Sequence, residues 1–379
     1  MGKIFQHLGE FSDLVDAATR QQPLFPHADP GLDTQAKVKE VLGFCNLPEQ
    51  PLDIQVEKRW EVDGLAGEEI SWWVGYGPRT HAYVLKPAHI DHPLPGLLAL
   101  HEHSGYKYYG KEKIANGPQG EIPDVIHLRS IEYEGRAYVN ELAKEGFVVV
   151  AHDTFLWGSR RFNFETMPEG IRNQAASLLK AAAPDTSVSP EIRLYNTAST
   201  IHEHLAAKYC NILGSNLAGV VAYEDRVAFN YLRSREDVLA EQTGCLGLSG
   251  GGNRSALLNA THDSVRAAVI VGLMSTYAEL LDHNMTHTWM FFPSNWARFG
   301  DWPDLAACRA PSPLLVQYDL DDNLFTQAGM RAADERLKEI FAYTGQPDAY
   351  QGLFYPGPHK FDLEMQRAAF SWLKARLKA

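Results

Sequence analysis

Cysteine is scarce: Cys45, Cys210, Cys245 and Cys308 are scattered over 379 residues with no C-x-x-C pair. That excludes a disulfide framework and a thiolate zinc cage, and predicts free thiols buried in a reducing cytoplasm. Long apolar runs are absent too, none approaching the ~18 residues that span a bilayer. The start, MGKIFQHLGEFSDLVDAATR, lacks a basic segment leading into an apolar one, so no secretion signal is expected. Gly2 does not begin a myristoylation motif, because the sixth residue is Gln6 rather than Ser or Thr. Positive charge is in deficit, and a net charge of −12 argues against nucleic acid or an anionic membrane as the main partner. There is no internal repeat, heptad or low-complexity run. What remains is 45% hydrophobic and 22% charged, a globular composition long enough to build a core without metal or disulfide. Composition leaves open whether copies of the chain form a homo-oligomer.

Residues 1–51 read as helices and turns, with DTQAKVKEVLGFC at helical spacing. From residue 52 the pattern alternates in three runs, LDIQVEKRW, EEISWWVGY and THAYVLKP, separated by glycine-bearing turns. This predicts an antiparallel meander. After Pro95 short apolar runs (GLLALH, GFVVVAHD, GCLGLS, AAVIVGL, PLLVQYD, GLFYPG) alternate with helical stretches, the pattern of a parallel sheet covered on both faces. Two connections, about 158–214 and 275–307, are too long for simple crossovers. Such insertions after parallel strands form lids or binding loops, because ligands sit at the strands' carboxyl ends. The second contains THTWMFFPSNWARFGDWPD, whose aromatics suit either a pocket wall or a satellite core.

Chemistry concentrates in GLSGG, 247–251, between an apolar run and the helical pattern NRSALLNATH. A G-x-S-x-G in a strand-to-helix turn holds its serine strained and projecting, which makes Ser249 the candidate nucleophile. Such a serine needs a base, and the base an orienting acid, in the chain order Ser, acid, His. His359, in FYPGPHKFD before the last helix, is the candidate base. The acid should follow the preceding strand, where DLDDNLF offers Asp322 first, Asp321 as runner-up and Asp319 third, the last suited to capping the turn.

The Ser249 turn, DTFLWGSRR, APSPLLVQYDLDDNLF and GPHKFD together resemble the acetyl-xylan-esterase-like and dienelactone-hydrolase-like branch of the α/β-hydrolase superfamily. The resemblance runs from about residue 52 to the C-terminus and is weakest in the insertions. It implies an α/β-hydrolase catalytic domain over 52–379, preceded by the helical segment 1–51, and it puts the acid on Asp322, with Asp319 where the family has glycine. It also places HEHSG, 101–105, at the family's oxyanion loop. Backbone N–H groups of Gly250 and His103 would then hold the developing oxyanion. Glu102 replaces a glycine there and is expected to point away, pairing with Arg160 or Lys107. In the family's D-x-F-G-x-G-x-R loop, Asp153 and Arg161 become structural residues bridging the cleft floor. Trp157, Trp289, Phe292 and Trp296 become candidate substrate walls, and Asp225 a packing residue.

Against this stands a metal reading, since His101 and His103 alternate on a strand end and a second HEH spans 202–204. Residues two apart on a helix do not share a face, so the second HEH is read as coincidence. A zinc hydrolase would need a third ligand, and His152 and Asp153 are candidates that no spacing recommends. The expectation is therefore a cytoplasmic serine hydrolase, without metal or cofactor, acting on a small carboxylic ester such as an acylated carbohydrate or aromatic ester. A peptidase, lactonase or carbon–carbon bond hydrolase would use the same triad, and a non-catalytic binding protein the same scaffold.

Overall fold

A computed structural model describes residues 4–44, 47–183, 186–283 and 287–378; Cys45, expected as a free thiol, lies outside them. Nine strands form one sheet: β1 (Leu52–Val62), β2 (Leu65–Trp73), β3 (Thr80–Pro87), β4 (Leu94–Leu100), β5 (Val148–His152), β6 (Val238–Leu248), β7 (Ala267–Val271), β8 (Leu314–Asp319) and β9 (Tyr350–Tyr355). Their order across the sheet is β1-β2-β3-β5-β4-β6-β7-β8-β9. The first three are antiparallel neighbours, β3 meets β5 antiparallel, and every pair from β5–β4 to β8–β9 is parallel. β6 begins well before its apolar GCLGLS run. Its polar first half pairs with Leu94 and Pro95 across a register irregularity, so hydrophobicity alone does not reveal its start.

The central parallel strands are buried because helices cover both faces. β4, β5, β7 and β8 are buried at every position. Leu98, Val150, Ile270 and Val316 pack on one face, and Leu97, Val149, Val269 and Leu315 on the other. Each fully buried Val or Leu contributes roughly 1.5–3 kcal/mol, so the alternating faces of these few strands anchor the domain. β1, by contrast, is exposed along its length as the sheet's edge.

The N-terminal helices pack on their own chain. Ser215 Oγ and Asn216 Nδ2 donate to the carbonyls of Leu42 and Val41 at 2.9 and 2.8 Å, and Gly31 N donates to Cys308 O. A Cβ on Gly219 would fall 1.9 Å from Leu42 O, so glycine permits this docking. Cys210, Cys245 and Cys308 are free and buried. The first long connection carries helices Glu169–Ala181 and Pro190–Ile212. In the second, Phe291, Trp296 and Trp302 join the main core rather than a satellite. Among the described residues no helix is long and apolar enough to cross a membrane.

Candidate active site

β6 ends at Leu248, and a helix runs from Gly250 to Thr261. Between them Ser249 takes φ 56° and ψ −120°, a backbone that costs a non-glycine residue about 1–3 kcal/mol. Two hydrogen bonds hold the strain: Ser249 N donates to Val271 O at 2.8 Å, and Asn253 N to Ser249 O at 2.9 Å. The neighbouring glycines are required by close approach. A Cβ on Gly247 or Gly251 would lie 2.5 or 2.0 Å from Leu100 O, and one on Gly250 would lie 2.7 Å from His103 N. The turn thus presses directly against the end of β4 and the backbone of the HEHSG loop.

His359 arrives from the loop after β9. Its Nδ1 lies 2.6 Å from Asp322 Oδ2, while Asp322 Oδ1 accepts from Leu324 N at 2.8 Å. His359 Nε2 is buried and makes no hydrogen bond among the described residues. A Cβ on Gly272 would sit 3.0 Å from His359 Cε1 and 3.1 Å from Leu248 Cδ1, so the ring lies over the ends of β6 and β7. Burial would lower the imidazole's pKa, but the Asp322 hydrogen bond and charge, with Glu132 and Asp319 behind them, raise it. Asp321, the runner-up, turns elsewhere: its Oδ2 accepts from Gly357 N at 2.8 Å and its own N–H donates to Gly357 O. It fastens the histidine loop, while Asp322 bonds the imidazole.

Asp319 stands closer to the site than a turn cap. Asp319, Asp322 and His359 bring their polar atoms within 4.8 Å of one another, and among the described residues they form the one such group with metal-ligating side chains. Asp319 Oδ2 accepts from Lys360 N at 3.1 Å, and its buried Oδ1 has no partner among the described residues. Burial pushes this carboxyl up to about 7 against the pull of Lys360 N and His359. With the His359 ring already bonded to Asp322, the trio is arranged for proton handling.

The HEHSG loop is organised by residues far away in sequence. His103 Nδ1 accepts from Gly105 N at 3.0 Å, which leaves Nε2 to donate to Glu203 Oε2 at 2.6 Å. Burial lowers the pKa of this imidazole, against the pull of Glu203. Glu203 also pairs with Lys107 at 2.7 Å and accepts from Thr288 Oγ1 at 2.8 Å. Burial would raise its pKa, but His103 and Lys107 together hold it well below the usual range. Glu203 is the middle residue of the second HEH, whose repetition carried no functional signal. One buried carboxylate on the Pro190–Ile212 helix therefore ties the loop after β4 to the second insertion. Glu132 grips the other side: Ser104 Oγ donates to its Oε1 at 2.6 Å, and Phe361 N to its carbonyl at 2.6 Å.

The expected pairing of Glu102 with Arg160 or Lys107 does not occur. Glu102 is fully buried behind the loop, 3.1 Å from Lys113 Nζ and hydrogen-bonded by the Tyr133 hydroxyl. Arg160 is engaged by Glu224 at 2.5 Å and Lys107 by Glu203. The four candidate ligands of the metal reading separate in the same way. His101 Nδ1 meets Glu102 O, His103 meets Glu203, His152 Nδ1 meets Asp153 O, and Asp153 takes Lys111 and Ser159 N. Asp153 and Arg161 are held by separate partners, Asp153 by Lys111 and Ser159 N and Arg161 by Gly158 O. Asp225 clamps Arg254 of the helix after Ser249, and Arg254 Nη1 donates to His101 O at 3.2 Å. That link between the serine helix and β4 has no local sequence signature.

Of the four aromatic wall candidates, two are withdrawn into the core. Trp157 is 1% exposed, packed edge-on against His103 and beneath Lys107. Trp296 is fully buried and donates to Asp301 O at 2.8 Å. Neither leaves surface for a ligand. Phe292 is half-buried against Tyr277. Trp289 is 38% exposed, its N–H donating to Glu203 Oε1 and its indole to His204 Nδ1, so it stands on the segment tied to the HEHSG loop.

No family model matches the chain. Over 275 residues it is 21% identical to "Putative hydrolase YtaP" of Bacillus subtilis (strain 168), covering 72% of this chain and 75% of that one. A solved structure from Bacteroides fragilis, described as a putative acetyl xylan esterase, superposes with a TM-score of 0.61 at 16% identity, covering 85% of this chain and 74% of the other. A glucuronoyl esterase from Solibacter usitatus superposes with a TM-score of 0.60 at 14% identity, covering 98% and 96%. The chain has the α/β-hydrolase fold.

Proposed function

We propose that this protein is a serine hydrolase that cleaves carboxylic esters, with acylated carbohydrates or small aromatic esters as its substrate class. The reading is carried by the Asp322-bound imidazole, whose Nε2 has no partner among the described residues and whose ring stands by Gly272 and Leu248, the residue before a serine held at positive φ. Ser249 Oγ attacks the ester carbonyl and His359 Nε2 takes its proton. Asp322 holds the ring and stabilises the imidazolium. The carbonyl oxygen becomes an oxyanion at the start of the Gly250–Thr261 helix, where the Gly250 and His103 N–H groups serve as donors, each worth about 3 kcal/mol. His359 returns its proton to the leaving alcohol, then activates water to release the acyl group. The scheme needs no cofactor. Similarity to proteins described as acetyl xylan and glucuronoyl esterases supports the ester and carbohydrate elements, and Trp289 and Phe292 are the aromatic candidates for contact with substrate.

Hydrolysis of short-chain 4-nitrophenyl esters by the wild type and Ser249→Ala, each with and without EDTA, tests the reading. The expected result is activity that survives chelation and falls by on the order of 10⁴-fold or more in the variant. Activity lost to EDTA but kept by Ser249→Ala would overturn it. If the nitrophenyl esters are not substrates, covalent labelling of Ser249 by a fluorophosphonate decides the same point.

A further inference from the structure

A cavity of about 900 Å³ lies between the segment after β5 and the Pro190–Ile212 helix, and its walls include none of Ser249, Gly250, His103, Asp322 or His359. Six of its lining residues are aromatic, Tyr76, Tyr108, Phe155, Phe162, Phe164 and Tyr195. One cation in it is left over. Arg160 is neutralised by Glu224, to which it donates through both Nε and Nη2. Arg161, the next residue, donates to Gly158 O at 2.8 Å and sits over Tyr108, 4.3 Å from the ring centroid, with Tyr195 at 5.8 Å. Among the described residues no carboxylate oxygen lies within 4 Å of its guanidinium. Of the carboxylates lining the cavity, Glu165 is taken by Arg172 at 2.5 Å and Glu191 is exposed, where water screens its charge.

A guanidinium stacked on a tyrosine is oriented on one face and keeps its remaining N–H donors along its edge, the geometry that grips a carboxylate with two parallel bonds. Aromatic walls around it suit a flat ring with an apolar face. We propose that this cavity is a second binding site, for a small carboxylic acid carried on a six-membered ring. Either an aromatic acid or a uronic acid supplies that chemistry. The carboxylate pairs with Arg161, the ring stacks among the aromatic side chains, and Glu191 at the exposed side accepts a ring hydroxyl. The inference rests on the cavity and Arg161, and it stands whether or not Ser249 is a nucleophile.

The test is calorimetric or NMR titration of the full chain with 4-hydroxybenzoate, D-glucuronate and the neutral analogue 4-hydroxybenzamide. Each titration is repeated on Ser249→Ala, on fluorophosphonate-treated protein and on Arg161→Gln. The expected result is saturable binding of one or both acids, unchanged by Ser249→Ala or by fluorophosphonate. It should weaken at least roughly tenfold with the amide and with Arg161→Gln of unaltered melting temperature. Which acid binds identifies the source, aromatic or saccharide. Equal binding of acid and amide, loss of binding after fluorophosphonate treatment, or no saturable binding of either acid would each overturn the proposal. The acid-against-amide comparison needs no variant, so it decides even if Arg161→Gln fails to fold.

Discussion

Replacing Asp322 by Asn probes the acid of the proposed triad, and the structure sets the size of the effect. The amide side chain would keep the shape and could still meet the ring, but without charge. The carboxylate is 1% and the imidazole 16% exposed, so water screens the pair poorly. When His359 holds the serine's proton, the two charge centres are about 4 Å apart, and an effective dielectric near 20 gives about 4 kcal/mol of attraction. Losing it slows acylation by about 10³-fold, at 1.36 kcal/mol per decade. Asp319 modifies this figure. It sits within 4.8 Å of the same ring and is pushed up to about 7, so it contributes its own negative charge only at higher pH. Above the acidic limb, the deficit of Asp322→Asn should therefore shrink as pH rises from about 7 to 9, and Asp319→Asn added to it should remove that recovery. The sign for the base follows as well. His359 acts when neutral, and Asp322 raises its pKa, so the acidic limb of the rate profile moves to lower pH in the variant. The assay is 4-nitrophenyl acetate hydrolysis from pH 5 to 9, or the rate of fluorophosphonate labelling, with melting curves to confirm folding. Asp322→Asn within threefold of wild type at every pH, with Asp319→Asn disabled instead, would refute the assignment.

Three further outcomes are expected. Gly251→Ala places a Cβ 2.0 Å from Leu100 O, backbone that cannot yield cheaply, and should cost about 3 kcal/mol in urea unfolding; a loss below about 1 kcal/mol would show that the turn is not closely packed on β4. Glu203→Gln strands the fully buried Lys107 without its counterion and should destabilise by about 3 kcal/mol. The same change should slow turnover by loosening His103, so unaltered kinetics would show that Glu203 does not organise the HEHSG loop. Because burial raises the Asp319 carboxyl from 3.8 to about 7, the folded state favours its protonated form, and its effect on stability becomes unfavourable as pH climbs from about 4 to 7. Asp319→Asn removes an ionisation cost of up to about 4 kcal/mol. It should raise the melting temperature at pH 8 and leave it nearly unchanged at pH 4; equal shifts at both would contradict the buried-carboxyl account.

The strand–turn–helix around Ser249 is legible in sequence because its demands are local. A serine at positive φ needs small neighbours, an apolar strand before it and a helix after it, and 244–261 supply these in consecutive positions. His359 is legible by its order and by its loop before an amphipathic helix. Asp319, Asp321 and Asp322 are not separable in this way, since three carboxylates within four residues differ only in where the loop turns them. The four aromatic candidates show the same boundary: composition marks THTWMFFPSNWARFGDWPD as aromatic, but whether Trp296 meets solvent or core depends on helices far away along the chain.

The sequence by itself determined the sheet's class, the alternation of strands and helices, and the type of chemistry that the serine turn and histidine loop suggest. Periodicity and backbone need are properties of neighbouring residues. The tertiary structure decided which charges meet. Glu102 found Lys113 and Tyr133, His103 found Glu203 a hundred residues on, and Arg254 joined Asp225 to the carbonyl of His101. A buried charge must be paired wherever the fold brings a partner, and that partner is set by packing across the sheet rather than by distance along the chain.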